Sequence, residues 1–272
     1  MNLGMAQIEI SSGNPEANLQ RISYACEELS QKNSDWILFP ECSDYGWSEP
    51  IIKKSSRQLL EKSFEQALIR LSRQFNIYIT CGLNRSKANK TYNSAITISP
   101  EKGIIHSYNK IYELDIVHEI YGQGQKLDVF ETPFGNVGVI ICADAFAEHE
   151  SLLRSLCYMG ADIILSPCAW AVPSDFNNKQ EPYGTLWVNS YIPVAKKFKI
   201  WIAAVSNVGR ISSGKWKGYK CIGSSLLISP GGQIAYQGPY GEKMQDLSIH
   251  EISIIERQKR GTQWDQFGNR EH

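Results

Sequence analysis

Cys142 is the residue of this chain whose position could make it a nucleophile. It ends an apolar segment, residues 135–142, whose β-branched side chains predict a short strand buried on both faces. Leucines at helical spacing over residues 148–160 predict that a helix follows. A strand-to-helix corner presents its side chain at the edge of a sheet and leaves backbone N–H groups unpaired. A free cysteine is more often a packing residue, so Cys142 needs chemical partners.

Two charged residues at other predicted strand ends are candidates for those partners. Glu41 follows the predicted strand at residues 36–39, and Lys110 follows the predicted strand at residues 104–107. Taken alone, Glu41 is as well explained by an exposed surface charge, and Lys110 is better explained by one, since lysine and glutamate are rarely buried. The order of the two residues relative to Cys142 favours a functional role through the family resemblance that follows.

Three short segments together resemble the nitrilase (carbon–nitrogen hydrolase) superfamily, in which a catalytic Glu, Lys and Cys follow one another in that order. They are Phe39-Pro-Glu41, Tyr108-Asn-Lys-Ile111 and Ile141-Cys-Ala-Asp144, and the resemblance extends over nearly the whole chain. It implies an α/β fold, a four-layer α-β-β-α sandwich with mixed sheets. It also implies hydrolysis of a non-peptide C–N bond without a cofactor or a metal ion.

The resemblance implies a role for each catalytic residue. Glu41 would take the proton of the Cys142 thiol and return it to the leaving amine. Lys110 and the backbone N–H of Ala143 would stabilise the oxyanion, and a thioester on Cys142 would then be hydrolysed. The expected substrate is a small amide or N-carbamoyl compound. Nitrile-hydrolysing relatives usually have Trp-Glu after the nucleophile, whereas this chain has Ala143-Asp144, so a nitrilase is the alternative.

Several further residues are candidates for the same site. Family members carry a second glutamate after the lysine, and Glu119 is the position matched to it, with Glu113 as the alternative. Tyr45, Asp144 and Trp170 are candidates for the pocket, although tyrosine and tryptophan are common in cores.

Two other interpretations are a different catalytic pair and a protein without catalytic activity. Cys142 with His118 or His149 as its base would resemble a thiol protease, but His149 lies seven residues along and is expected to point away. A catalytically inactive interaction module would be favoured by loss of Glu41, Lys110 or Cys142, and all three are present.

Predicted helices and strands alternate along the chain, which indicates an α/β fold. Helices are predicted at residues 15–29, 55–75, 148–160 and around Trp187, with Asn14 capping the first one. The predicted strands are residues 3–10, 36–39, 77–82, 94–99, 104–107, 135–142, 162–166, 199–206, 224–229, 233–237 and 247–254. Cys168 would lie beside Cys142 if their strands are parallel neighbours, and residues 84–93 are interpreted as a connection.

Composition narrows the classes of function. The 272 residues contain 28 basic and 28 acidic side chains, which gives no overall reason to expect nucleic acid or a membrane as a partner. The seven cysteines are scattered and odd in number, so a disulfide framework or a structural zinc site is not expected. We expect a single domain over residues 1–272, a cytoplasmic location and, from the family resemblance, a homodimer or a higher homo-oligomer.

Overall fold

The computed structural model describes residues 1–47, 54–87, 90–180 and 182–255. Its first sheet has six strands in the order β15-β1-β2-β3-β4-β5. These strands are β1 (Asn2–Gln7), β2 (Trp36–Leu38), β3 (Tyr78–Lys87), β4 (Lys90–Ser99), β5 (Gly103–Asn109) and β15 (Asp246–Glu251). β1, β2 and β3 run parallel to one another, and the other pairs are antiparallel, so the sheet is mixed.

The second sheet also has six strands, in the order β14-β13-β10-β8-β7-β6. They are β6 (Val129–Thr132), β7 (Gly135–Val139), β8 (Ile163–Cys168), β10 (Trp201–Ser206), β13 (Leu226–Ile228) and β14 (Ile234–Gln237). β7, β8 and β10 are parallel and the outer strands pair antiparallel. A small third sheet consists of β9 (Ala171–Val172), β11 (Val208–Arg210) and β12 (Lys220–Ile222).

Apolar side chains at alternate positions of the central strands hold the two large sheets together. Leu3 and Met5 of β1 and Trp36 of β2 form one buried cluster with Leu165 of β8 and Val205 of β10. The other faces of both sheets are covered by helices. The α-β-β-α sandwich that the resemblance implies is therefore confirmed.

Two helices cover each outer face. α1 (Pro15–Gln31) and α2 (Lys54–Phe75) pack on the first sheet, and α3 (Ser151–Tyr158) and α4 (Thr185–Phe198) pack on the second. α1 begins as predicted, because the Asn14 side chain accepts a hydrogen bond from the Ala17 N–H at 3.1 Å and Pro15 needs no such partner. None of the helices in the described ranges is long and apolar enough to cross a membrane.

The structure corrects two of the predicted elements. The stretch interpreted as a connection at residues 84–93 belongs largely to a long β3-β4 hairpin, in which Asn84 pairs with Asn93. The helix predicted at residues 148–160 is shorter than expected, because Glu148–Glu150 form a 3₁₀ helix and α3 spans only Ser151–Tyr158. A further 3₁₀ helix (Cys142–Phe146) precedes them. The sequence analysis also missed β6, β9, β11 and β12, which are four residues long or shorter.

Candidate active site

Glu41, Lys110 and Cys142 line one cavity at the carboxyl edges of the two sheets. The Lys110 Nζ lies 2.9 Å from Glu41 Oε1, and both side chains are 1% exposed. Burial alone would lower the pKa of Lys110, but the charges of Glu41 and Glu113 outweigh it and hold that pKa well above its usual range. Lys110 is therefore a buried cation beside the thiol.

Glu41 is positioned by the chain directly after β2. Gly82 of β3 lies so close that a Cβ there would be 2.5 Å from the Glu41 Cα, which is why a side chain cannot be accommodated at this position. Asn93 of β4 donates from its Nδ2 to Glu41 Oε1 at 2.6 Å. The Glu41 N–H donates to the Cys168 carbonyl of the second sheet at 3.2 Å. These contacts fix the carboxylate between the sheets.

Lys110 follows β5 and is held by backbone contacts. Its N–H donates to the Asn93 carbonyl at 2.8 Å, and its carbonyl accepts from the Gly124 N–H at 2.8 Å. A Cβ at Gly124 would lie 2.0 Å from the Asn109 carbonyl oxygen, so this approach requires glycine. The end of β5 and the loop at Gly124 thus hold the backbone of Lys110 in place and thereby position its ammonium group.

Cys142 has a left-handed backbone, with a φ of 45°, at the first residue of the 3₁₀ helix. This conformation is sparsely populated by residues other than glycine and is typical of strained functional turns. The first N–H groups of a helix have no partner within it, so those of Cys142 and Ala143 are available to a ligand. Ala143 lines the cavity, in agreement with its predicted position.

Asp144 joins the turn at Cys142 to the loop after Lys110. Its Oδ1 accepts from the N–H groups of Ile111 (3.2 Å) and Tyr112 (2.7 Å). Its Oδ2 accepts from the Tyr108 hydroxyl (2.8 Å) and the Ile141 N–H (2.8 Å). Burial raises the pKa of Asp144 to about 6, against the lowering influence of Lys110 and these hydrogen bonds. Asp144 was predicted as a pocket residue, and its contacts are instead those of a support for both loops.

Cys168 is an immediate neighbour of Cys142. β7 and β8 are parallel in a register that pairs Val139 with Leu165, and the same offset places Cys168 beside Cys142, as expected for parallel neighbours. Burial, the Cys168 thiol and the charge of Glu41 together raise the pKa of Cys142 well above its usual range. At neutral pH the thiol is therefore protonated, and attack on a carbonyl carbon requires a base.

The supporting carboxylate beside Lys110 is Glu113, the alternative in the sequence analysis, rather than Glu119. Glu113 Oε2 lies 3.6 Å from Lys110 Nζ, and its side chain is 2% exposed. Burial raises the pKa of Glu113 to about 7, with the charge of Lys110 opposing it. The Glu119 side chain is 85% exposed and lies 3.5 Å from Lys215 Nζ, so it does not contact Lys110. The reason is that the turn after Glu113 directs residue 119 outwards.

The remaining candidates divide between cavity and core. Trp170 lines the cavity, whereas the buried Tyr45 lies outside the cavity lining that the structure describes. His118 and His149 are 59% and 89% exposed, and neither belongs to the described lining of the cavity that contains Cys142. Within the described ranges, no three His, Cys, Asp or Glu side chains are grouped to hold a metal ion.

Sequence reasoning missed Asn93 and Tyr108 as parts of this site. Asn93 lies in the segment for which the sequence predicts a connection, and Tyr108 belongs to the sequence motif around Lys110 without a predicted role of its own. The sequence signal for Asn93 is the alternation of side chains over residues 90–99, which is typical of a strand. A strand of that length would have placed Asn93 near Glu41.

Solved structures share this α-β-β-α fold. A carbon-nitrogen hydrolase from Helicobacter pylori G27 matches with a TM-score of 0.80 at 17% identity, over 92% of this chain and 88% of that chain. A variant of the Nesterenkonia AN1 amidase from the nitrilase superfamily matches with a TM-score of 0.77 at 18% identity, over 93% and 92% of the two chains. At these identities the likeness concerns the fold.

The model of the carbon-nitrogen hydrolase family matches residues 2–259, and the chain belongs to this family. Among its relatives, a nitrilase from Pyrococcus abyssi is 25% identical over 90% of this chain and 87% of its own length. The omega-amidase NIT2 of Xenopus tropicalis is 25% identical over 94% and 91% of the two chains. The match to the family and the similarity to amidases together support hydrolysis of amide C–N bonds in general.

Proposed function

We propose that this protein hydrolyses a small amide through a thioester on Cys142, with Glu41 as the base and acid and Lys110 as the oxyanion cation. The observation that carries the proposal is the convergence of these three side chains on one cavity, with the Lys110 Nζ 2.9 Å from Glu41 Oε1. N-carbamoyl compounds present the same carbonyl and nitrogen to this site and belong to the same proposal.

The first half of the reaction forms the acyl-enzyme. Asn93 and Lys110 both donate to Glu41 Oε1, so we assign proton transfer to Oε2. Oε2 takes the Cys142 proton, and the sulfur attacks the amide carbon to form the C–S bond. The Lys110 ammonium and the Ala143 N–H stabilise the oxyanion, and one such donor contributes about 3–4 kcal/mol. The C–N bond then breaks as protonated Glu41 donates its proton to the departing ammonia or amine.

The second half of the reaction releases the acid. Glu41 takes a proton from water, and the resulting hydroxide attacks the thioester carbon at the same oxyanion site. The C–S bond breaks, the sulfur regains a proton from Glu41, and a carboxylic acid leaves. No redox change occurs, and no group outside this chain, the substrate and water takes part.

Intact-protein mass spectrometry during turnover tests this proposal. With a reactive small amide, the wild type should gain the mass of one acyl group and release ammonia, whereas Cys142→Ala should do neither. Cys221→Ala is the matched control, since this buried cysteine lies outside the catalytic group and should still be acylated at Cys142. Ammonia release without an acyl adduct, retained in Cys142→Ala, would contradict the thioester.

A further inference from the structure

The cavity over Cys142 is large for a small amide. Its volume is about 560 Å³, within the range of about 300–1,000 Å³ found for pockets that hold drug-sized ligands. If each heavy atom occupies the ~30 Å³ of a water molecule in the liquid, propanamide fills on the order of 150 Å³. Most of this space would then remain for a bulkier acyl group.

One wall of the cavity is a continuous set of aromatic rings. Trp170 and Trp187 stack with centroids 4.6 Å apart, and Phe146 packs against Trp187 at 4.2 Å. Tyr183 lies 6.1 Å from Trp170, and Phe176 extends the wall at 6.3 Å from Tyr183. Trp187 donates its Nε1–H to the Tyr183 hydroxyl at 3.0 Å, and the Trp170 Nε1 is buried. The wall therefore offers mainly ring carbons to a ligand.

Two further tryptophans also line the cavity. Trp47 and Trp216 have ring centroids 4.6 Å apart. Of the described lining residues, Glu41 and Lys110 are the charged ones. The Lys110 ammonium already lies beside two carboxylates, Glu41 and Glu113. A carboxylate on the substrate would thus lose its hydrating water in this cavity without gaining a cation as its partner.

We propose that the cavity selects amides whose acyl group is uncharged, apolar and of aromatic size, such as 3-phenylpropanamide, over monoamides of dicarboxylic acids. This selectivity rests on the proposed function, because it places the reacting carbonyl carbon at Cys142. Burial of the phenyl ring against the aromatic wall is favourable through apolar area and ring contacts. Eleven heavy atoms occupy on the order of 330 Å³, which the cavity accommodates.

Calorimetric binding to the Cys142→Ala variant tests the selectivity without turnover. We expect 3-phenylpropanamide to bind about a hundredfold more tightly than propanamide or glutaric acid monoamide. Equal binding of the three compounds would overturn the inference, as would tighter binding of the monoamide. If the variant binds as expected and the wild type hydrolyses none of the compounds, the proposed function fails while the selectivity stands. If the wild type hydrolyses all three with equal kcat/KM, the selectivity fails and the function stands.

Substitutions in the same Cys142→Ala background locate the effect on the wall. Phe176→Leu should weaken binding of 3-phenylpropanamide roughly tenfold. Phe134→Leu is the matched control, since Phe134 packs against Trp36 and Tyr78 between the sheets, and should leave binding unchanged. Phe176→Arg should strengthen binding of the monoamide roughly tenfold, a gain that misfolding cannot produce. Equal effects of the two leucine substitutions would refute the assignment of the wall.

Discussion

The buried carboxyl of Glu113 should make the stability of the fold depend on pH. Burial raises its pKa from the ordinary 4.5 to about 7, against the opposing charge of Lys110. Between these pH values the native carboxyl holds a proton that the unfolded chain has released. The native state then binds more protons than the unfolded state, so the free energy of unfolding falls as the pH rises towards 7.

The size of this effect follows from the two pKa values. The native pKa is higher by about 2.5, and each pKa unit corresponds to about 1.36 kcal/mol, which gives about 3 kcal/mol. Glu113→Gln keeps the shape of the side chain and does not ionise. The difference in unfolding free energy, variant minus wild type, should therefore increase by about 3 kcal/mol between acidic and mildly basic pH.

Urea denaturation at pH values from about 4.5 to about 8 measures that difference directly. Glu119→Gln is the control, because its side chain is 85% exposed, and it should stay within about 0.5 kcal/mol of the wild type throughout. A difference for Glu113→Gln that does not change with pH would refute the reasoning. In the hydrolysis assay above pH 7, where the Glu113 carboxyl is ionised, Glu113→Gln should lower kcat/KM, since Lys110 then loses one of two anionic neighbours, and Glu119→Gln should not.

Three further predictions concern the site. Cys142→Ala should abolish hydrolysis with the fold intact, and Cys168→Ala should retain measurable turnover; equal loss in both would contradict a single essential thiol. Glu41→Gln and Lys110→Met should each lower single-turnover acylation by orders of magnitude, and a near-wild-type rate would remove the assigned role. Asp144→Ala leaves two buried donors and two part-buried donors without their acceptor, so urea denaturation should show a loss of about 2–4 kcal/mol, at about 1 kcal/mol per buried donor and less for the part-buried ones; an unchanged midpoint would contradict this.

The resemblance to the carbon–nitrogen hydrolase family allowed the sandwich and the candidate catalytic residues to be predicted, because the three short segments that carry it can be seen in the sequence. Glu41, Lys110 and Cys142 each follow an apolar segment, and parallel strands bring such ends to one edge. Strands were predicted at residues 77–82 and 94–99, but residues 84–93 of the long β3-β4 hairpin were not recognised as strand. Its polar side chains bond to other elements, as when Arg85 Nε donates to Glu65 of α2 at 2.6 Å, so its composition is that of a loop.

The choice between Glu113 and Glu119 depended on a turn that local sequence does not specify. Asp115–Val117 form a 3₁₀ helix, and Glu113, three residues after Lys110, turns back towards the ammonium group. The role of Asp144 was hidden for a similar reason. Three of its four donors are backbone N–H groups, and every sequence provides those.

The geometry at Cys142 leads to a last prediction, that amides are better substrates than the corresponding nitriles. Attack on an amide places negative charge on oxygen, where the Lys110 ammonium and the Ala143 N–H can stabilise it, and protonated Glu41 can assist departure of ammonia. Attack on a nitrile instead creates a thioimidate nitrogen that must be protonated. The acid that follows Ala143 cannot serve that purpose, because both Asp144 carboxylate oxygens already accept hydrogen bonds from the supporting loops. Comparing 3-phenylpropanamide with 3-phenylpropanenitrile keeps the phenylpropyl skeleton constant. The contribution of the aromatic wall to kcat/KM is then the same for both compounds. A kcat/KM for the nitrile above that for the amide would refute the assignment, and a lower value would show that the oxyanion donors favour amides.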